Sequence, residues 1–398
     1  MTDKKAPVIG AVVVLLVVMP VLGIDLQLPA MPDIARDLGG SVGKVQLTLS
    51  LFTIAFAVMQ LLVGPLGDRY GRRPVLMASL AVYALASLYC ALAPSIGHLT
   101  AGRILQGLSA CAGPVLGRAV VRDRYEAVAA GGVFGTVMAC FGIAALSVPI
   151  LGGQLVETSG WRATFYVSAV YGVLALALVA FLMPETLRAP VAGALRVGRL
   201  AADYVILLRS RQYLVIAATG CLVQSAMFSW IAGSSFAVID VLGHSPLVYS
   251  LVYAVTVFGF VTTSFLSGRV AARLGQRRLI ALGSTIALLG ATSGLALNDA
   301  VTPTLLTLVA PIFVVAVGHG LTLAQSMAGA LAAFPHLAGT ASGLLGFMQY
   351  LTATLVVAAN GALYDGTVLP VLIVSAGCAA LAVLCFALFG RHVRLAGG

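Results

Sequence analysis

The chain has 398 residues, 60% of them hydrophobic and 9% charged, and its mean hydropathy is +1.05. A soluble domain carries roughly 25% charged residues, so the composition excludes a water-soluble globular protein and points to an integral membrane protein. The net charge of +10 is no sign of nucleic-acid binding, because the basic residues are too few and too scattered to form a phosphate-binding surface.

A helix needs about 20 apolar residues to cross roughly 30 Å of hydrocarbon. Twelve such runs are predicted, at about 8–32, 45–66, 74–93, 98–119, 128–150, 162–183, 212–236, 247–268, 279–297, 304–331, 340–362 and 369–390. The first outruns the apolar core of a signal peptide and shows no small-residue cleavage site, so it reads as a span. Most connections are short and hold a Gly, a Pro or a charge. The exception is the basic segment 184–211, which divides the chain into six-helix halves at 1–183 and 212–398. Within it, Leu195 to Leu208 is expected to form a short amphipathic helix on the membrane surface.

An even number of spans puts both termini on one side. Eighteen basic residues fall on that side, among them Lys4, Lys5, Arg188, Arg196, Arg391 and Arg394, against Arg36, Lys44 and Arg162 on the other. Lys and Arg accumulate in cytoplasmic loops, so both termini are expected to be cytoplasmic. The six cysteines lie singly in apolar runs and read as small buried hydrophobes.

A repeat runs through the chain. Gly64-Pro65-Leu66-Gly67-Asp68-Arg69-Tyr70-Gly71-Arg72-Arg73, placed between spans two and three, is echoed 204 residues later by Gly268-Arg269-Val270-Ala271-Ala272-Arg273-Leu274-Gly275-Gln276-Arg277 between spans eight and nine. Two six-helix halves in the same orientation are the parallel-repeat design of one class of secondary transporters.

The segment Gly64 to Arg73 resembles the signature loop of the major facilitator superfamily. Arg103-Ile104-Leu105-Gln106-Gly107 resembles the second signature of its drug:proton antiporters. Pro149-Ile150-Leu151-Gly152-Gly153 resembles the end of the antiporter motif, with Val148 where the family commonly has Gly. Asp25 to Pro32, Arg118 to Asp123 and Gly339 to Gly343 are similar to the Bcr/CflA branch, the bicyclomycin- and chloramphenicol-type resistance exporters. The resemblance implies an all-α fold of twelve transmembrane helices in two pseudo-symmetric halves. It also implies export of small, largely apolar drugs in exchange for protons across the bacterial inner membrane.

Intramembrane charge is costly, about 2.5–3.5 kcal/mol on insertion scales, and calls for a partner or a function. Asp25 and Arg103 are the charges placed clearly inside the spans, at matching depths of roughly 10 and 8 Å at 1.5 Å per residue. If spans one and four line a cavity, as the resemblance implies, the two groups can neutralise each other directly or through water, with Asp25 the proton-coupling acid and Arg103 its partner in coupling; a static ion pair that fixes helix packing is the alternative. Gln27 and Gln106 stand close enough to extend a polar network. His319, between Gly318 and Gly320, is either a second titrating group or a neutral imidazole bonded between helices. His98, His244, His336 and His392 sit near span ends and read as interfacial.

At the signature segment, Asp68 is suited to accept hydrogen bonds from a helix N-terminus, which the resemblance assigns to span eleven, while Arg72 is expected to pair with Asp123. With Gly64, Arg69, Gly71, Arg73 and Arg118 these residues would form a cytoplasmic latch; a purely topological role for the arginines is the alternative. Further substrate-binding candidates, chosen for polar or aromatic character, are Gln224, Ser225, Phe228, Trp230, Tyr249, Tyr253, His319, Gln325, Gln349, Tyr350 and Asn360. Each serves equally well in packing.

The expected protein is a monomeric, proton-driven transporter in the lipid bilayer, with a small-molecule substrate and without cofactor, metal or nucleic-acid partner. Export of an endogenous metabolite or siderophore, and uptake by symport, remain alternatives on the same fold. An enzyme is disfavoured by the lack of a nucleophile and base at usable spacing. ATP drive is disfavoured by the lack of a Gly-rich loop with Lys and Ser/Thr.

Overall fold

Pro29 offers no N–H to the carbonyl of Asp25, which weakens α geometry at that point of the first span, whereas Pro20 is carried inside a continuous helix. The computed structural model, which describes residues 6–125, 127–187, 189, 197–334 and 337–390, builds that span in three pieces. Helix α1 (Ala6–Ile24) gives way to a tighter 3-10 segment over Asp25–Ala30, and α2 (Met31–Asp37) resumes. Lys4, Lys5, Arg188, Leu195, Arg196, His336, Arg391, His392 and Arg394 lie outside the described residues.

Helices α3 (Val42–Tyr70) and α4 (Arg72–Ala91) meet at Gly71, whose φ of 100° is left-handed space that a side chain would strain. Span four is α5 (Ile96–Ala110), N-capped by Ser95, continued by α6 (Ala112–Arg124) beyond a joint at Cys111. Helices α7 (Ala127–Ser159) and α8 (Arg162–Leu182) follow, then α9 (Val197–Arg209). Helix α10 (Arg211–Ser235) runs into a π-helical turn over Phe236–Val241, and α11 (Pro246–Leu274) meets α12 (Gln276–Ala300) at Gly275. Helix α13 (Leu305–Ala332) opens with a capping box between Thr304 and Thr307, and α14 (Ala338–Leu363) and α15 (Leu369–Phe389) complete the described chain.

Among the described residues, twelve helical segments are long and apolar enough to cross a membrane. Among the described residues all regular structure is helical. The structure corrects the reading of the two signature segments as loops. Each is helix except at one glycine, Gly71 or Gly275, with φ of 100° and 77°. Glycine and proline mark breaks in water, but a helix entering hydrocarbon keeps its backbone bonds internal for as long as it can. The two glycines stand 204 residues apart, so the repeat extends from sequence to turn geometry.

The chain forms two compact units: Met1–Gly40 with Leu51–Arg196, and Ser41–Ser50 with Val197–Gly398. In the first, α4 packs on α5 and α8, while α1 packs on α6 and α7. Val18, Val21, Leu22 and Leu26 meet Phe141, Val148 and Leu155 of α7 there. In the second, α10 packs on α13, α14 and α15, and α13 also packs on α11 and α12. Leu207 and Tyr204 of α9 join Tyr213, Ile216, Ile280, Leu344 and Phe386 in its core, while Val205, Ile206 and Leu208 stay exposed. Large apolar side chains such as Leu85, Ile143, Phe181, Leu289 and Leu306 face outward, as hydrocarbon solvent allows.

Candidate functional site

In the first unit the polar residues of spans one and four converge on Arg103, which is 3% exposed. Its Nη1 donates to the Gly23 carbonyl and to Gln106 Oε1, each at 2.6 Å, and also to Gln27 Oε1. Gln106 Nε2 passes the chain on to Ser87 Oγ at 2.8 Å, and Ser87 donates to the Tyr83 carbonyl at 2.7 Å. The guanidinium lies 4.3 Å above the Phe52 ring and 6.0 Å from the Phe165 ring. The cation is thus solvated by one carbonyl, two amides and two aromatic faces, which offsets much of its desolvation.

Local sequence builds this arrangement. Gln106 is one helical turn from Arg103, so both side chains share a face of α5. A Cβ on Gly23 would sit 2.7 Å from the Phe52 ring, and one on Gly107 would sit 2.3 Å from the Phe52 carbonyl oxygen. Both glycines let α3 bring Phe52 under the guanidinium. Asp25 is half-buried and begins the 3-10 segment between Gly23 and Gln27, the two span-one residues that accept from Arg103. Gly23, Gln27 and Gln106 thus surround Arg103 with amide oxygens, and Asp25 lies within the same break in span one.

The antiporter-motif residues belong to the same neighbourhood. A Cβ on Gly152 would lie 2.3 Å from the Leu26 carbonyl oxygen and 3.1 Å from Pro29 Cγ, so α7 seats directly on the segment carrying Asp25. Pro149 lies within α7, and Gly153 is buried beside Gly152.

At the far end of α3, Arg72 is 3% exposed and bridges Asp68 at 2.5 Å and Asp123 at 3.2 Å. The Glu185 carboxylate accepts from the backbone N–H groups of Arg72 at 3.0 Å and Arg73 at 3.1 Å, and from Thr186 and Leu187 at 2.9 Å each. It therefore caps the first turn of α4, where the macrodipole favours an anion. Arg73 Nη2 donates to the Ala180 carbonyl at 2.6 Å. The Arg69 guanidinium lies 5.4 Å from the Tyr70 ring, Gly64 faces open space, and Arg118 is exposed on α6.

The second unit divides its candidates. Gln325 Nε2 donates to Ser267 Oγ at 2.6 Å, and its carbonyl accepts from Gln276 Nε2 at 2.8 Å. Asn360 Nδ2 donates to the Ser229 carbonyl at 2.8 Å. These two side chains hold helices together. Phe228 and Tyr350 meet edge to face at 6.2 Å, and Tyr249 and Tyr253 lie 6.1 Å apart. Gln224, Ser225, Trp230, His319 and Gln349 are buried with polar atoms that lack a partner.

Sequence reasoning missed Phe52, Phe165, Ser87 and Glu185. The first three reach Arg103 and Gln106 from other helices and carry no local signal. Glu185 carried a weak one, as an acid at the head of a basic segment.

The sequence pattern of the Major Facilitator Superfamily matches residues 13–357. An uncharacterized MFS-type transporter of Bacillus subtilis is 32% identical, over 89% of each chain. A bicyclomycin resistance protein homolog of Haemophilus influenzae is 29% identical, over 94% of this chain and 93% of its own. A chloramphenicol resistance protein of Pseudomonas aeruginosa is 32% identical, over 81% and 76%. The fold is similar to that of the Escherichia coli xylose transporter in a partially occluded inward-open conformation, with a TM-score of 0.74 over 100% and 99% of the chains at 14% identity. Twelve spans, a repeated signature turn and these likenesses agree: the chain belongs to the Major Facilitator Superfamily and is a multi-pass membrane transporter, not an enzyme.

Proposed function

We propose that this transporter exports small, neutral, largely apolar drugs of the phenicol or bicyclomycin kind in exchange for protons, by alternating access. The observation that carries the proposal is the placement of a half-buried carboxyl, Asp25, at a break in span one beside the amide shell of a buried arginine. A carboxyl in such a place alternates between neutral and charged forms as its surroundings open and close. The resistances for which the Haemophilus and Pseudomonas relatives are named support a drug substrate.

In this reading Asp25 takes a proton from outside after drug release and gives it up inside when drug binds. Arg103 keeps a fixed charge nearby that favours the carboxylate. The proton gradient supplies the energy without a cofactor, one chain suffices, and both termini are cytoplasmic. The test is proton release from purified protein on addition of chloramphenicol. Wild type should release protons and Asp25→Asn should release none; unchanged release in Asp25→Asn would refute the assignment.

A further inference from the structure

In the second unit, two helix faces present polar atoms that nothing in the fold satisfies. Both ring nitrogens of His319, Gln224 Oε1 and Ser326 Oγ are buried without a hydrogen-bond partner. His319 and Gln224 are each 7% exposed. Buried polar groups in folded proteins are almost always paired, so several on facing helices call for a missing partner.

Their placement is specific. His319 and Ser326 are seven residues apart on α13, about two turns, and so share one face. That face meets α10: a Cβ on Gly220 would lie 2.8 Å from Ser326 Cβ. Gln224 is one turn beyond Gly220 on the same face of α10, and spans seven and ten run in opposite directions. Gln224 and His319 therefore fall within about one helical turn, roughly 5 Å, along the axis. The imidazole lies flat on Phe260, with ring centroids 4.6 Å apart and planes at 19°, which leaves its edge to carry hydrogen bonds. On either side, Gly318 packs on the backbone of Gly283 and Ala287, and Gly320 packs on Thr263, Phe260 and Ser264. The imidazole is held at a fixed position between α11 and α12.

The chemistry of the missing partner follows. A neutral imidazole offers one N–H and one lone pair, and the Gln224 oxygen offers an acceptor. A ligand hydroxyl both gives and takes a hydrogen bond and suits this pair. Among the described residues of the second unit, the buried polar set is Ser, Thr, Gln, Asn and His, without Arg, Lys, Asp or Glu. A charged ligand group would therefore go uncompensated.

Resting on the drug-export reading above, we infer that His319 and Gln224, with Ser326, form a hydrogen-bonding subsite for the hydroxyl of a neutral substrate. The subsite selects neutral, hydroxyl-bearing molecules over organic ions and over fully apolar ones.

The test is equilibrium binding of radiolabelled chloramphenicol, a neutral amide with two hydroxyls, and of its analogue lacking both hydroxyls, to purified protein. His319→Phe and Gln224→Leu should each weaken chloramphenicol binding roughly three- to tenfold, the worth of one neutral hydrogen bond. The analogue should bind wild type more weakly by at least that factor and should lose little more in the variants. The wild-type comparison stands even if a variant fails to fold. Equal binding of both ligands by wild type, or unweakened chloramphenicol binding by both folded variants, would overturn the subsite alone and show those polar atoms to be satisfied by water. No chloramphenicol binding by wild type would overturn the export reading and the subsite with it.

Discussion

Arg103 Nη1 has three acceptors, and Gln106 is the one that passes the interaction on to Ser87. Gln106→Leu removes one of the three and leaves Ser87 Oγ without its donor. Removing one partner from a buried hydrogen-bonded charge exposes the desolvation penalty of what remains, about 1–3 kcal/mol. Thermal unfolding in detergent should register that loss, and a melting temperature equal to wild type would show the network to be energetically idle. The Arg103–Gln106 pair was legible in the sequence, because three residues on a helix is one turn. The rest of the shell was not. Gly23 and Gln27 lie 80 and 76 residues away, and Phe52 comes from a third helix, so only tertiary packing brings them together. The matched depths of Asp25 and Arg103 placed the two side chains at one level of the membrane, but depth alone carries no information on the amide partners Gln27 and Gln106.

At the scale of helices, α7 carries two kinds of glycine. Gly152 seats the helix on the 3-10 segment, where even a methyl would come 2.3 Å from the Leu26 carbonyl oxygen, whereas a Cβ on Gly132 or Gly135 would meet nothing within 4 Å. Backbone cannot yield as a flexible side chain does, so Gly152→Ala must push α7 off the segment that begins at Asp25. Overpacking of this kind costs about 1–3 kcal/mol. Drug efflux should fall further than stability does, because the displaced segment carries the proposed proton site. Gly132→Ala and Gly135→Ala should remain within about 1 kcal/mol of wild type and keep efflux. Similar losses at all three positions would show that α7 needs glycine for flexibility and not for this contact. The 3-10 break in span one was not read from the sequence, which took residues 8–32 as one span, although Pro29 within it lacks a backbone donor. The π-helical end of span seven carries no such residue and stayed hidden.

For the whole molecule, charge reads as orientation, and the helix ends sharpen that reading. The breaks at 92–95, 242–245, 301–304 and 364–368 contain no Lys or Arg. Two of the three bases assigned to that side are tied to neighbouring acids, Arg36 to Asp33 and Arg162 to Asp37. The opposite helix ends carry Arg69, Arg72, Arg73, Arg122, Arg124, Arg209, Arg211, Arg269, Arg273, Arg277 and Arg278. Translocating that many bases is what the positive-inside bias opposes, so the arginine-rich ends are expected to face the cytoplasm. The six native cysteines are buried or half-buried within spans and should react little with a membrane-impermeant maleimide. Two exposed positions then report sidedness against a low background: Thr302, beyond the end of α12, and Ala201 on α9. In right-side-out membrane vesicles the maleimide should label Thr302→Cys at once and Ala201→Cys only after the vesicles are opened. The reverse pattern would invert the orientation and leave the arginine asymmetry without a topological cause. Labelling of both positions in sealed vesicles would mean that an even number of spans separates α9 from residue 302 in the membrane, against the three that the twelve-span alternation places there.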